Sequence, residues 1–194
     1  SQRPKLLKFD GAFHGSHVEG VANFGWSDAA NLPAAEPVGT GGASAVCDLL
    51  IAPYNDLARA KELIAEHASE LAAVIIDPAQ RALVADADFM RGLRAATERH
   101  GVTLIFDEVV SGFRLAPGGA AEYFGVSPDL AAYGKAMGGG YPIAAVAGRA
   151  EIMDEVREDR HDGPRFVWAA STTGGGPVMA AAALATLDVL GEPG

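Results

Sequence analysis

Short apolar runs alternate with amphipathic helical patterns along most of this chain of 194 residues, and no internal repeat is visible. The alternation predicts βαβ units, and hence an α/β domain in which parallel strands form one sheet that helices cover. Strands are predicted at 49–51, 71–76, 102–106, 126–133 and 143–146, and helices at 57–67, 88–100, 150–157 and 177–190. Asn55 or Asp56 is expected to cap one of these helices, and Gly101 to end another. Only the glycine-rich segment 11–46 departs from the alternation, and we expect it to be mainly loop.

The charge balance of the chain is acidic. It has 15 Lys and Arg against 25 Asp and Glu, a formal net charge of −10, and no basic stripe. Nucleic acid and anionic membranes are therefore not expected as partners. Cys47 is the only cysteine, so no intrachain disulfide can form. We expect it to be a small buried apolar residue in a reducing compartment.

The first residues lack the apolar core of a signal peptide, and a cytoplasmic location is the default expectation. The longest uncharged stretch, 166–187, is interrupted by the glycines and proline at 174–177. It is therefore predicted to be a loop followed by a buried helix and not a membrane span. Because the chain has no initiator Met and ends in a Gly-Glu-Pro-Gly breaker, we expect it to be a segment of a longer protein.

Two ionisable residues follow strongly apolar runs. Asp107 follows Thr-Leu-Ile-Phe, and Lys135 follows Leu-Ala-Ala-Tyr-Gly. The carboxyl ends of strands are where open α/β sheets bind ligands, and charges at such places are partly desolvated unless a partner pairs with them. Pyridoxal phosphate would satisfy both residues, since a lysine forms a Schiff base with its aldehyde and a carboxylate keeps its ring nitrogen protonated. The spacing by itself is weak evidence for such a site, and it favours a surface lysine and a helix-capping aspartate.

Three longer segments resemble the class III pyridoxal-phosphate-dependent aminotransferases, above all the glutamate-1-semialdehyde 2,1-aminomutase branch. They are LIFDEVVSGFR at 104–114, GGAAEYFGVSPDL at 118–130 and GKAMGGGYP at 134–142. The resemblance implies a three-layer α/β sandwich with a mainly parallel sheet, the large domain of fold-type-I pyridoxal-phosphate enzymes. Residues 1–194 would be the central part of that domain, without its N-terminal segment and without the C-terminal small domain.

The resemblance also implies roles for individual residues. Lys135 matches the Schiff-base lysine, which also moves the proton between substrate and cofactor. Asp107 matches the partner of the pyridine nitrogen. Phe13-His14-Gly15 is similar to an aromatic-His-Gly segment whose ring stacks on the cofactor. Alternatively, Phe13 is an ordinary core residue and His14 a structural histidine.

A further threonine implies a dimer. Thr172 matches a family residue that reaches the cofactor phosphate of the other subunit, so the resemblance implies a homodimer with shared sites. Alternatively, Thr172 is an ordinary loop hydroxyl.

Several positions depart from the family pattern. Asp77 stands where the family has a glutamate near the cofactor, and Ala79-Gln80-Arg81-Ala82 replaces the glycines that usually follow. Gly176 replaces an asparagine. Val110 replaces a glutamine of many transaminases, which fits the aminomutase branch or its relatives better.

The function implied is amino-group transfer on a small amino acid or amino aldehyde. An aminomutase moves the group within one molecule, whereas a transaminase passes it to a keto acid. The departures leave a non-catalytic structural module or an incomplete fragment as the alternative.

Overall fold

The computed structural model describes residues 2–25, 46–157 and 175–192, together with residues 159, 167 and 171. Within them one sheet contains the strands β1 (Lys5–Phe9), β2 (Leu49–Ala52), β3 (Leu71–Ile76), β4 (Thr103–Glu108), β5 (Leu130–Tyr133) and β6 (Ala145–Gly148). The spatial order is β2-β1-β3-β4-β5-β6. All neighbouring pairs are parallel except β5 and β6, which are antiparallel. The predicted α/β fold with a mainly parallel sheet is confirmed.

The helices of the described residues are α1 (Val18–Val21), α2 (Leu57–Glu66), α3 (Ala87–His100), α4 (Gly119–Phe124), α5 (Ala150–Met153) and α6 (Pro177–Leu190), with 3-10 turns at Gln80–Ala82, Lys135–Gly138 and Asp154–Val156. Helix α2 begins where the side chain of Asp56 accepts from the Arg59 amide at 2.9 Å. Helix α3 ends at Gly101, whose φ of 60° is left-handed. Both ends agree with the capping predictions, because each residue type suits the backbone there.

The main core lies between the sheet and the apolar faces of α2 and α3. Its fully buried members from the central strands and these helices include Leu7, Phe9, Val74, Ile76, Leu104, Phe106, Leu63, Ile64, Met90 and Leu93. Burying side chains of this size, at about 25 cal/mol per Å² of apolar surface, is the main favourable term for the fold. The core thereby fixes β1, β3 and β4 side by side.

Strand β1 was absent from the sequence prediction, because Lys8 interrupts its apolar run. The side chain of Lys8 is fully buried. Its Nζ donates to the carbonyl oxygens of Ala12 at 2.9 Å, Gly20 at 3.0 Å and Ala22 at 2.6 Å. Burial lowers the pKa of Lys8 to about 8, and the charge of Asp10 partly offsets this. The lysine thus anchors the loop that follows β1 from inside the protein.

Other element bounds differ from the predictions. Strand β5 begins at Leu130 and not at 126, and β6 lies two residues beyond the predicted 143–146. Helix α5 ends at Met153 and a 3-10 turn continues it to Val156, where one helix had been predicted at 150–157. Helices α1 and α4 are short and were not predicted. Local patterns fix such short elements poorly, since packing decides where they begin and end.

Two burial predictions were wrong. Cys47 is exposed. Helix α6 has the predicted bounds, but Ala183 is its only buried residue, and Val178, Leu184 and Val189 are 60%, 63% and 66% exposed. An apolar sequence indicates that the side chains of a helix are more stable when buried. It does not show whether this chain provides the surface that buries them. No helix in the described ranges is long and apolar enough to cross a membrane.

Asp129 joins the amino ends of β4 and β5 to α3. Its side chain is 8% exposed and accepts from the Leu104 amide at 2.8 Å and from the guanidinium groups of Arg94 at 2.9 Å and Arg149 at 3.2 Å. Burial alone would raise the pKa of Asp129, but the amide and the two guanidinium groups together hold it below the ordinary 3.8. The ionised carboxylate is therefore the form that stabilises the fold.

We predict that Asp129→Asn lowers the free energy of unfolding by about 2 kcal/mol at neutral pH, because buried donors lose their charged acceptor. The stabilisation is complete above the ordinary aspartate pKa of 3.8 and is lost as pH falls through the lower folded-state pKa. The difference between the two proteins should therefore shrink in acid. Urea unfolding of the intact protein at several pH values measures it. Asp88→Asn, at an exposed ion pair with Arg91, is the control and should change little. Equal stability of wild type and Asp129→Asn at neutral pH would contradict the prediction.

Candidate active site

The strand order places a crevice at the carboxyl edge of the sheet. From β1 the chain passes to β2 on one side, whereas β3 lies on the other side of β1, so the loops leaving β1 and β3 diverge. Such a reversal of strand order is the usual ligand site of open α/β sheets. The loop after β1 carries Phe13 and His14, Asp77 follows β3, Asp107 lies near the end of β4, and Lys135 follows β5. All predicted site residues within the described ranges therefore belong to one edge.

His14 and Asp107 form a close polar contact at this edge. His14 Nδ1 lies 2.7 Å from Asp107 Oδ2, and the two side chains are 2% and 13% exposed. The other carboxylate oxygen, Oδ1, accepts from the Val109 amide at 3.2 Å. His14 Nε2 is buried and has no hydrogen-bond partner among the described residues. The sequence placed both residues at the site but gave no sign of this contact, which joins positions 93 residues apart.

Phe13 is not an ordinary core residue. Its side chain is 47% exposed, and its ring meets the ring of Phe24 edge-on, with centroids 5.3 Å apart and planes at 68°. Gly15 follows with a φ of 113°, a conformation that side chains rarely adopt, so the loop turns here without strain. The aromatic ring is thus half exposed, and an exposed aromatic face can stack on a flat ligand.

Asp77 is electrostatically coupled to the other site residues. Its Oδ1 accepts from the Ala79 amide at 2.9 Å. Burial raises the pKa of Asp77, and the charge of Asp107 raises it further, while the Ala79 amide, His14 and Lys135 counteract this in part. The net pKa lies above the ordinary value of 3.8. The ionised form of Asp77 is therefore less favourable than that of an exposed aspartate.

Lys135 lies in a strained turn. It is exposed, and its φ of 45° is unusual for a residue with a side chain. The turn ends at Gly139 with a φ of 55°, where an added Cβ would collide with Thr186 Oγ1 of α6. Helix α6 therefore packs closely against the turn that presents the lysine. Strain of this kind costs about 1–3 kcal/mol and is often found at functional sites.

Glu108 has a structural role beside Asp107. Its side chain is fully buried. It accepts from Ser111 Oγ at 2.8 Å and from the amides of Ala120 at 2.8 Å and Ala121 at 3.2 Å, in the first turn of α4. The carboxylate therefore holds α4 against the end of β4 and is not free to bind a ligand. This fixes the backbone from which Asp107 projects.

The residues present fit a pyridine aldehyde cofactor. They provide an exposed amine at Lys135, an exposed aromatic face at Phe13, and at Asp107 a carboxylate whose oxygens each have a second lone pair. Thr172, the predicted phosphate contact, lies outside the described residues. In the described part of the chain no group of three or more His, Cys, Asp or Glu side chains is arranged to bind a metal.

The fold and this edge are those expected of a pyridoxal-phosphate transferase domain, and the sequence agrees. The family described as class-III aminotransferase matches residues 1–194. The chain therefore belongs to the class-III aminotransferase family.

Individual relatives share sequence and structure with the chain. The glutamate-1-semialdehyde 2,1-aminomutase of Pelotomaculum thermopropionicum is 42% identical over 203 aligned residues, which cover 99% of this chain and 43% of the relative. An omega-transaminase from Sphaerobacter thermophilus superposes with a TM-score of 0.87 at 38% identity, over 97% of this chain and 44% of that one. A transaminase with PLP bound gives a TM-score of 0.84 at 30% identity, with the same coverages of 97% and 44%. The chain spans less than half the length of each of these relatives.

Proposed function

We propose that the protein containing this chain is a pyridoxal-phosphate-dependent enzyme that transfers amino groups, and that residues 1–194 form part of its cofactor-binding large domain. The observation that carries the proposal is the presence, at one edge of the sheet, of Lys135 and of an Asp107 carboxylate held by His14. Membership of the class-III aminotransferase family supports it. So does the likeness to a transaminase with PLP bound.

The bound cofactor would supply an electrophilic carbon and an electron-withdrawing ring. Lys135 Nζ would hold the cofactor by condensing with its aldehyde, with loss of water, and would be the base that takes the proton from the substrate carbon. Asp107 would accept a hydrogen bond from the ring nitrogen and keep that nitrogen protonated. His14, 2.7 Å from Asp107 Oδ2, would fix the direction of the carboxylate. Phe13 would cover one face of the ring and exclude water from it.

The geometry favours this enzyme over a non-catalytic module. A structural descendant would have no need to keep Lys135 in a left-handed turn or a buried histidine on Asp107. The departures at Asp77 and Gly176 leave these contacts untouched: Asp77 is still coupled to Asp107, His14 and Lys135, and Gly176 still precedes the intact helix α6.

We predict that Lys135→Ala abolishes amino-group transfer and the visible absorbance of the lysine-bound cofactor, because no other amine takes its place. The absorbance spectrum and the turnover of purified intact protein measure this, with pyridoxal phosphate added to both proteins. Lys61→Ala is the matched control, since Lys61 is an exposed lysine on α2. A visible band that survives in Lys135→Ala, or its absence from the wild type with added cofactor, would refute the proposed role.

We further propose that the amino group moves within one molecule, as in an aminomutase. The support is Val110 and the 42% identity to a glutamate-1-semialdehyde 2,1-aminomutase. We expect glutamate 1-semialdehyde to be converted to 5-aminolevulinate without any added keto acid, as followed by a colorimetric assay for the product. Strict dependence on an added keto acid would instead identify a transaminase.

The proposal includes a cytoplasmic homodimer with shared sites. The single cysteine of this chain is compatible with a reducing compartment. The resemblance of Thr172 to a family threonine that reaches the cofactor phosphate of the other subunit supports shared sites. We predict that Lys135→Ala and Thr172→Ala are each impaired, whereas a heterodimer of the two recovers activity at its one intact site. Two affinity tags would isolate that heterodimer for assay. A heterodimer as inactive as its parents would show that Lys135 and Thr172 serve the same site from the same subunit.

A further inference from the structure

The turn that follows β3 is strained at two successive residues. Arg81 has φ 50° and ψ 39°, and Ala82 has a φ of 66°. Both are left-handed conformations that favour glycine, and neither residue is a glycine. Backbone held in this region persists only where other contacts determine it. The side chains of the turn show which contacts these are.

Gln80 and Arg81 bind the loop that follows β1. Gln80, which is 3% exposed, donates from Nε2 to the Asp10 carbonyl oxygen at 2.6 Å. Arg81 Nε donates to the Gly11 carbonyl oxygen at 3.1 Å, and its Nη2 donates to the Phe24 carbonyl oxygen. One strained turn thus holds both ends of the loop 10–24, which carries Phe13 and His14.

Arg81 also contacts the aromatic pair formed by Phe24 and Phe13. Its Cζ lies 4.9 Å from the centroid of the Phe24 ring, a cation–π distance. Phe24 in turn meets the ring of Phe13 edge-on, with centroids 5.3 Å apart. The two rings are 45% and 47% exposed, so burial does not fix their orientation. Among the described residues, a chain of contacts runs from the guanidinium through Phe24 to Phe13.

We propose that Arg81 is a positioning residue that sets the orientation of the Phe13 ring over the cofactor site. The inference rests on the proposed function, because the ring matters only if a flat cofactor lies against it. Lys8 also fixes the backbone of this loop, but the acceptors of its three hydrogen bonds are all backbone carbonyl oxygens. Arg81 is the residue that joins backbone and ring, since a planar guanidinium can donate to two carbonyl oxygens and stack on an aromatic face at once.

The test uses three substitutions of Arg81 in the intact protein. Arg81→Ala removes the interactions of the side chain and keeps the backbone strain at position 81, Arg81→Gly also relieves that strain, and Arg81→Lys keeps the charge without the planar fork. Arg91→Ala is the matched control, because Arg91 is an exposed arginine that pairs with Asp88 on α3.

The first measurement is amide hydrogen exchange without cofactor. The Gly11 amide donates to the Asn23 carbonyl oxygen at 2.9 Å and the His14 amide to that of Gly20 at 3.0 Å, so both report the closed loop. We expect Arg81→Ala and Arg81→Gly to speed exchange at Gly11 about tenfold, with a smaller change at His14, which Lys8 still supports. Arg81→Gly should melt at a higher temperature than Arg81→Ala because its strain is relieved. Unchanged exchange at the Gly11 amide would contradict the inference that Arg81 holds this loop closed, and the proposal would fail with it.

The second measurement is the binding of pyridoxal phosphate, by titration and by the circular dichroism of its visible band, which depends on ring orientation. We expect about tenfold weaker binding and an altered band in Arg81→Ala, an intermediate effect in Arg81→Lys, and none in Arg91→Ala. Faster exchange with unchanged affinity and an unchanged band would overturn the positioning role and leave Arg81 purely structural. A wild type that binds no cofactor would refute the proposed function and this role together. The exchange data would still show whether Arg81 holds the loop 10–24 closed.

Discussion

The hydrogen bond between His14 Nδ1 and Asp107 Oδ2 is the contact on which the arrangement of the site depends. It joins the loop after β1 to the end of β4, across 93 residues of sequence, at 2.7 Å. Such a bond forms only because β1, β3 and β4 are adjacent and parallel, so that their carboxyl ends meet at one edge. The apolar core beneath them sets that adjacency. The site is therefore a consequence of strand order. The packing of the core sets which strand ends are adjacent, and this adjacency brings the polar residues at those ends together.

The loop after β1 is held by side chains because little regular structure is present in its described part. Backbone carbonyl groups in a buried loop need donors, and Lys8 supplies three of them from one ammonium group. A buried charge without a directly bonded carboxylate is costly, and the lowered pKa of Lys8 reflects that cost. Gln80 and Arg81 supply the donors for the carbonyl oxygens of Asp10, Gly11 and Phe24. The loop that bears Phe13 and His14 is thus fixed by side-chain donors from β1 and from the turn that follows β3.

The sequence predicted those features that depend on interactions between residues near one another in the chain. The bounds of β3 and α6 agree with their apolar patterns, and Asp107 and Lys135 were placed at strand ends because polar residues interrupt apolar runs there. Strand β1 was missed because a lysine in a short run is typical of a surface, and only the fold reveals the three carbonyl groups around it. The His14–Asp107 contact depends on strand order, which no local pattern contains. Whether α6 and Cys47 are covered depends on surfaces outside the segment in which each occurs, so their predicted burial failed.

The stretch Ala79-Gln80-Arg81-Ala82 has a different meaning in the structure than in the sequence. In the sequence alone, this stretch replaces the glycines that the family usually has, which is a reason to doubt that the cofactor site is intact. In the fold the positive φ angles of Arg81 and Ala82 show that the chain keeps a turn suited to glycine while placing side chains on it. The strain is offset by what those side chains bind, since the carbonyl groups and the ring that Arg81 contacts would otherwise lack these partners. The strained backbone of this turn and the contacts of Arg81 with the loop that carries Phe13 are therefore parts of one feature.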